Sequence, residues 1–261
     1  MASEPADFGR WILRPRRPER VSVQLVCAPY AGGGPAAYHG WATGLPETVD
    51  VWLLRLAGRG RRRREPLPTD LDAVVRETAA ACAQRLREPF VLFGHSLGAF
   101  TAYELAKELA LRHGLHAAHL VVAARPAPHV VPRHPPVHTL PTAEFLKALD
   151  ARYQGVPDAL REDPALEHLY LPVLRADMAL LETYRYRPAE PLDCPISVFG
   201  GRHDHQSPQK DLAAWRVHTR ADFTLRMFPG NHFFVQSQRT LVLQALTEGA
   251  LRPHVACPAA P

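Results

Sequence analysis

Short apolar runs alternate along this chain with longer segments whose apolar residues recur at helical spacing. Some runs, such as Val91-Leu92-Phe93, are apolar at every position. Such a run is typical of a strand buried on both faces, because a half-exposed strand alternates apolar and polar residues. The pattern predicts an α/β fold in which a largely parallel sheet carries helices on its faces. The first predicted strand lies in 21–30 and runs into a loop, and the others are 49–56, 90–94, 119–124, 196–201 and 223–228.

Helices are predicted between these strands. One covers 71–87, with Asp70 as its N-cap, and another covers 97–112 and ends before Gly114. Two more follow the last two strands, over 207–219 and 235–251.

The segment 125–190 differs from the rest of the chain. A loop rich in proline and histidine leads into helical segments over 142–153, 157–162 and 163–186, and no strand-like run interrupts them. In an α/β enzyme such a block usually lies over the carboxyl ends of the strands, where ligands bind. We therefore expect one domain over 1–261, with its core at about 20–135 and 190–252 and a helical lid at about 136–189.

Net charge, cysteine spacing and the length of apolar runs limit which partners and sites this chain can have. The net charge of +5 favours acidic partners without requiring them. Four scattered cysteines, Cys27, Cys82, Cys194 and Cys257, form no C-x-x-C pair and predict reduced, mostly buried thiols. The first residues carry acidic side chains and no apolar core of a signal peptide, and no apolar run is long enough to span a bilayer. We expect a monomeric cytoplasmic protein without a membrane partner.

The stretch "FGHSLGAF" contains a G-x-S-x-G motif with Gly94, Ser96 and Gly98. A predicted strand precedes it and a predicted helix follows, which is the context of a serine held on a tight strand-to-helix turn with its hydroxyl above the sheet. The flanking positions must be small because the strand and helix backbones crowd there. The motif therefore predicts that Ser96 is a nucleophile; the alternative is an ordinary turn with a capping serine.

A serine nucleophile needs a base, and the base needs an orienting carboxylate, in the chain order serine, acid, histidine. Asp204 follows a late strand, and His232 follows the last strand in "FPGNHFF". These two residues are the predicted acid and base. Other carboxylates are less well placed: Asp193 precedes its strand, Asp211 lies in the next helix, and Asp177 belongs to the lid, where a helix-surface or lid contact is expected.

Attack of the serine on a carbonyl carbon produces an oxyanion, and two backbone N–H groups are needed to stabilise it. One should follow the nucleophile and the other should come from the loop after an early strand, here the glycine-rich "CAPYAGGGPAAY". The predicted donors are Leu97 and Ala31. The loop lacks the G-K-[ST] ending of a phosphate-binding P-loop. The neighbouring His203-Asp204-His205 does not predict a metal site, because adjacent extended residues point to opposite sides. We expect no metal and no cofactor.

Several motifs together resemble one family. They are "APYAGG" (28–33), "GRG…REP" (58–66), "FGHSLGA" (93–99), "LPVLRADMALLETYRYRP" (171–188), "PLDCPISVFGG" (191–201) and "FPGNHFF" (228–234). The chain resembles the type II thioesterases, free-standing α/β-hydrolases that accompany polyketide synthases and nonribosomal peptide synthetases. It departs from the family pattern at Ala57 and His205, where the family usually has proline.

The resemblance implies an α/β-hydrolase fold with a helical lid and an editing role. Such an enzyme removes stalled or wrong acyl groups from the phosphopantetheine arm of acyl or peptidyl carrier proteins. The implied nucleophile, base and acid are Ser96, His232 and Asp204. The alternatives are a medium-chain fatty acyl thioesterase, a broad-specificity serine esterase or a non-catalytic scaffold.

The run "RGRRRRE" places five arginines at positions 59–64. No aromatic residues interleave it, and the chain prefers arginine over lysine throughout, so a nucleic-acid partner is not expected. The favoured interpretation is a solvated loop after a strand. A further hypothesis is that part of this basic surface docks an acidic carrier protein.

Overall fold

The computed structural model describes residues 6–154 and 164–255. Within these residues seven strands form one sheet in the order β1-β3-β2-β4-β5-β6-β7. All neighbouring strands are parallel except β1, which pairs antiparallel with β3 at one edge. The strands are β1 Ile12–Leu13, β2 Val23–Ala28, β3 Val49–Leu54, β4 Phe90–His95, β5 His119–Ala123, β6 Ile196–Gly201 and β7 Phe223–Phe228.

The order of the strands creates a crevice between β2 and β4. From β2 the chain moves outward to β3, and it then crosses back to β4 on the other side of β2. The loops after β2 and β4 therefore leave the sheet in opposite directions, and ligands of open α/β sheets bind at such a switch point. Both loops were predicted to hold functional groups.

Helices pack on both faces of the sheet. In the described residues they are α1 Ala6–Trp11, α2 Trp41–Gly44, α3 Leu71–Ala83, α4 Leu97–His113, α5 Thr142–Tyr153, α6 Pro164–Thr183, α7 Gln209–Ala213, α8 Phe234–Ser237 and α9 Arg239–Glu248. The carboxylate of Asp70 accepts hydrogen bonds from the N–H groups of Asp72 and Ala73, as a helix N-cap does. Gly114 ends α4 in the left-handed conformation, with φ of 62°.

The sheet separates two apolar clusters. Trp52, Phe90 and Tyr103 belong to the cluster on one face, and Trp41 and Phe93 belong to the cluster on the other. Consecutive residues of β4 thus point into different clusters, which is why this strand is apolar from Phe90 to Phe93. The strand β7 alternates more exposed and less exposed residues, because it lies at the edge of the sheet.

The α/β-hydrolase fold with a mostly parallel sheet is confirmed, and the six predicted strands match β2 to β7. The pair α1 and β1 was not predicted, because two strand residues are too short to show a period. The predicted helix over 71–87 ends early, at Ala83. Residues 207–219 form α7 and a 3-10 helix, Ala214–His218, and 235–251 divides into the end of α8 and α9.

The lid helices α5 and α6 lie between β5 and β6 in the chain, where the insertion was predicted. The predicted helix over 157–162 lies outside the described residues, as does Cys257. Cys27 and Cys82 are buried free thiols, and Cys194 is half-buried. None of the described helices has the length and apolarity needed to cross a membrane. The proposed limits of core and lid stay a prediction.

Candidate active site

Ser96 occupies the turn between β4 and α4. Its φ of 57° and ψ of −111° lie in a region that residues with a side chain rarely adopt. The neighbouring glycines allow this turn: a Cβ on Gly94 would lie 2.0 Å from the carbonyl oxygen of Gly98, and one on Gly98 would lie 2.0 Å from that of Ala28. The flanking residues must be small, as predicted, because a side chain at either position would clash with backbone atoms.

The three predicted residues of the triad meet at the carboxyl edge of the sheet. Nε2 of His232 lies 3.0 Å from Oγ of Ser96, and Nδ1 of His232 lies 2.9 Å from Oδ2 of Asp204. All three side chains are buried. In this geometry the imidazole can take the serine proton while the carboxylate holds its tautomer and orientation.

The environment of Asp204 favours its charged form. Burial raises the pKa of this carboxyl, but hydrogen bonds from His232 and from the N–H of Gln206 outweigh burial and leave the pKa lowered. The alternative carboxylates lie elsewhere: Asp193 is exposed beside Arg220, and Asp211 pairs with Arg133.

The loop after β2 makes a tight turn next to Ser96. The N–H of Gly33 donates to the carbonyl of Tyr30 over 2.8 Å, and the intervening Gly32 has a φ of 79°. A positive φ at the third position of a turn favours glycine. Within the described residues the N–H groups of Ala31 and Leu97 donate no hydrogen bond. Both predicted donors are therefore available, one from each side of the crevice.

The buried His95 was not among the predicted site residues. Its Nε2 lies 2.9 Å from the carbonyl oxygen of His232, so this nitrogen carries the proton and donates. Burial, and then the nearby His232, lower the pKa of His95 to about 3. A neutral His95 thus holds the backbone of His232 without adding a positive charge beside it. The motif shows a histidine before Ser96, but no local pattern shows its partner.

The lid covers the triad with a largely apolar cavity of about 430 Å³. The ring of Tyr153 lies 4.7 Å, centroid to centroid, from the ring of His232. The lid side of the cavity is lined by Leu149, Tyr153, Gln154, Tyr170, Leu174 and Met178, and the core side by Tyr30, Ala31, Gly32, Ser96, Asn231, His232 and Phe233.

The arginine run does not form a uniformly solvated loop, so that interpretation is wrong for two of its members. Arg62 is buried, ion-paired with Glu65 and stacked 3.8 Å from the ring centroid of Trp11. Arg59 is largely buried and ion-paired with Asp177. Arg61, Arg63 and Arg64 are exposed. The 3-10 helix in this run, Gly60–Arg62, is too short to show a period, so the sequence could not separate the two groups.

His203 and His205 are exposed, whereas Asp204 between them points inward to His232. Over residues 6–154 and 164–255 no cluster of histidine, cysteine and carboxylate side chains has the arrangement of a metal site.

Comparison with known proteins identifies the family. The family model described as "Thioesterase domain" matches residues 23–248. The chain belongs to the thioesterase family. This thioesterase is 38% identical over 249 residues to linear gramicidin dehydrogenase LgrE of Brevibacillus parabrevis, with 94% of each chain covered. It is 35% identical over 233 residues to thioesterase PikA5 of Streptomyces venezuelae, covering 89% of this chain and 82% of that one.

Solved structures agree with this assignment. The thioesterase superposes on the type II thioesterase BorB of the borrelidin biosynthetic cluster with a TM-score of 0.81 and 34% identity, covering 93% of this chain and 96% of BorB. The resemblance to type II thioesterases is confirmed, and the chain is a thioester hydrolase. The dehydrogenase name of LgrE applies to that protein; the present sequence contains no G-x-G-x-x-G dinucleotide motif.

Proposed function

We propose that this thioesterase is an editing enzyme that hydrolyses stalled or aberrant acyl thioesters on the phosphopantetheine arm of acyl or peptidyl carrier proteins. The observation that carries the proposal is the 3.0 Å contact between Ser96 Oγ and His232 Nε2 at the floor of the apolar cavity. The similarity to BorB, a type II thioesterase from the borrelidin biosynthetic cluster, supports the choice of carrier.

In the proposed reaction Ser96 Oγ attacks the thioester carbonyl and His232 Nε2 takes the hydroxyl proton. The N–H groups of Ala31 and Leu97 donate to the resulting oxyanion. The C–S bond then breaks, the leaving sulfur takes the proton from His232, and the acyl group stays on Ser96. Water attacks this ester, His232 takes its proton and returns it to Ser96, and the carboxylic acid leaves. Asp204 holds the imidazole and stabilises its charged form throughout.

The cavity favours apolar acyl groups. Leu149, Leu174 and Met178 line its lid side, and a charged acyl group would lose its hydration against them. A monomeric state and a cytoplasmic location are part of the same proposal.

The test compares one acyl group on three carriers: holo-carrier protein, coenzyme A and a simple oxyester. We expect the highest kcat/KM with the carrier protein. Higher activity on acyl-coenzyme A would favour a fatty acyl thioesterase, and higher activity on oxyesters would favour a broad esterase. Ser96→Ala serves as the control, because it should abolish turnover of every substrate while leaving the thermal unfolding temperature near that of the parent.

We further propose that the exposed arginines of the loop after β3 dock the carrier protein. Arg61, Arg63 and Arg64 are exposed in the loop that follows the carboxyl end of β3, Arg59 of the same loop pairs with Asp177 of the lid, and the chain has a net charge of +5. Reversing these three charges to glutamate should weaken activity on acyl-carrier protein more than on a short acyl-pantetheine thioester. Reversing the exposed arginines Arg76, Arg87 and Arg112 is the matched control. Equal losses on both substrates would contradict the proposal.

A further inference from the structure

The lid helix α6 contacts the loop after β2 through a polar side chain. Oδ2 of Asp177 accepts a hydrogen bond from the N–H of Gly32 over 2.7 Å. One turn earlier on the same helix, Cδ1 of Leu174 lies 3.0 Å from the position that a Cβ on Gly32 would occupy. Residues three apart share a helix face, so α6 presents one apolar and one charged contact to the same residue of the turn.

A third segment joins this contact. The guanidinium of Arg59, in the loop after β3, forms an ion pair with the same oxygen of Asp177. Arg59 also donates to the carbonyl of Ala57 over 2.7 Å, and its Cδ lies 3.1 Å from where a Cβ on Gly34 would be. Asp177 therefore connects the lid to two loops of the core. We call this set, Gly32, Arg59 and Asp177, the lid clamp.

The clamp is a buried charged contact beside the largely apolar cavity, to whose lining it contributes only Gly32. Asp177 is 0% exposed, and burial raises the pKa of its carboxyl to about 6, against the opposing effects of Arg59 and of the Gly32 N–H. A buried ion pair is seldom needed for stability, because well-packed apolar residues of similar volume often replace it without loss. Its more specific effect is geometric, since a carboxylate that accepts a defined N–H holds that peptide in one orientation.

The peptide that Asp177 holds lies next to the proposed oxyanion donor. In the turn from Tyr30 to Gly33, the N–H of Gly33 donates to Tyr30 and the N–H of Gly32 donates to Asp177. The N–H of Ala31, which precedes these two in the chain, donates to no acceptor among the described residues and can meet a ligand. With the peptides on its carboxyl side pinned, Ala31 can present this N–H to the crevice before the substrate arrives, as stabilisation of an oxyanion requires.

We propose that Asp177, together with Arg59, is a positioning residue that orients the Ala31 N–H toward the oxyanion. The oxyanion hole is then complete only when the lid helix α6 is packed against the loop after β2. The inference rests on the proposed function, because the oxyanion belongs to that mechanism. It goes beyond that function by giving the lid a part in catalysis as well as in forming the cavity.

The test is Asp177→Asn, with Glu182→Gln as the matched control. Glu182 is a second, mostly buried carboxylate of α6; it accepts the N–H groups of Val137 and His138 and does not touch the turn. For Asp177→Asn we expect kcat on an acyl-pantetheine thioester to fall about tenfold, less than the 10²–10³-fold loss that removal of an oxyanion donor causes. KM should stay within about twofold, since an interaction made only in the transition state changes kcat and kcat/KM together.

A second readout separates positioning from general loosening of the lid. A boronic acid that forms a tetrahedral adduct with Ser96 should bind Asp177→Asn about tenfold more weakly. Binding of the uncleaved thioester to Asp177→Asn in the Ser96→Ala background should not change. Glu182→Gln should keep the parent's kcat and boronate affinity.

Several results would overturn the inference: a parental kcat and boronate affinity in Asp177→Asn, a rise in KM alone, or equal losses in Asp177→Asn and Glu182→Gln. If Asp177→Asn does not fold, the double variant Arg59→Gln/Asp177→Asn leaves no unpaired buried charge and should show the same loss; a parental kcat there would also overturn it. Turnover by Ser96→Ala would instead refute the proposed mechanism, so the two failures are distinguishable.

Discussion

The core and the lid hold their functional residues in different ways. Ser96, Asp204 and His232 lie on loops directly after β4, β6 and β7, so the hydrogen-bonded sheet sets their separation. The lid side of the cavity comes from α5 and α6, which lie outside the hydrogen-bonded sheet. The geometry of the triad and the shape of the acyl site therefore rest on separate parts of the fold.

Among the described residues, the lid helix α6 is held by side-chain contacts rather than by a ladder of backbone hydrogen bonds. Arg175 donates to the carbonyls of His138 and Leu140 over 2.6 and 2.7 Å, and its guanidinium lies 4.3 Å from the ring centroid of Phe145. Glu182 accepts the N–H groups of Val137 and His138 within the lid, and Asp177 accepts the N–H of Gly32 in the core. Single substitutions should therefore change the lid without altering the triad.

The largest expected effect belongs to the core. Asp204→Asn should lower kcat about 10⁴-fold, because an amide at this position favours the wrong tautomer of His232. Asp193→Asn, at the amino end of the same strand and exposed beside Arg220, should leave kcat unchanged. Steady-state kinetics on an acyl-pantetheine thioester measure both. A loss of less than tenfold for Asp204→Asn would contradict the assignment of the acid.

The next effect concerns the attachment of the lid. Phe145 in α5 is fully buried in the same apolar cluster as Trp52 and Tyr103. Phe145→Ala should lower the free energy of unfolding by about 3–5 kcal/mol, as large-to-small substitutions in a core do. Leu169→Ala, at an exposed position of α6, should change it by less than about 0.5 kcal/mol. Urea denaturation measures both, and equal effects would mean that α5 is not packed into the core.

A third effect depends on pH. The pKa of buried His95 is held at about 3, below the 6.5 of an exposed imidazole. As the pH falls through 6.5 the unfolded chain binds a proton that the folded chain does not, so stability is lost between these two values at about 1.4 kcal/mol per pH unit. His95→Gln removes this loss. The free energy of unfolding of His95→Gln minus that of the parent should therefore rise by about 2 kcal/mol as the pH falls from 6.5 to 5.

The control for this pH effect is His113→Gln, which removes an exposed imidazole at the end of α4. Urea unfolding at several pH values measures each variant against the parent. A difference between His95→Gln and the parent that stays constant with pH would contradict a neutral, buried His95.

The smallest effect tests whether the lid determines acyl length. Met178 lines the cavity from α6, and Met178→Ala enlarges it. The ratio of kcat/KM for a longer acyl chain to that for an acetyl group should rise about tenfold, the lower end of what a methylene contributes in an apolar pocket. The kcat for acetyl should stay within about twofold. A fall in kcat for every chain length would instead connect Met178 to the triad.

The sequence predicted most of the core because its signals are local. A continuous apolar strand, a glycine-flanked serine and an N-cap such as Asp70 each depend on residues close together in the chain. The same holds for α5, whose observed bounds, Thr142–Tyr153, match the prediction. The approach of Asp204 and His232 to Ser96 also followed from local signals, since loops at the carboxyl ends of parallel strands share one edge of the sheet.

By itself the sequence determined the fold class, the strands β2 to β7 and the candidate triad. Only the tertiary structure decided which arginines are buried, that His95 holds the carbonyl of His232, and that Asp177 meets Arg59 and Gly32. Arg59 and Asp177 are 118 positions apart. Arg59 belongs to no periodic pattern, and the helical pattern around Asp177 does not show which residue its carboxylate meets. Their pairing depends on where the lid helix packs against the loops of the core, and that placement is set by the folded chain as a whole.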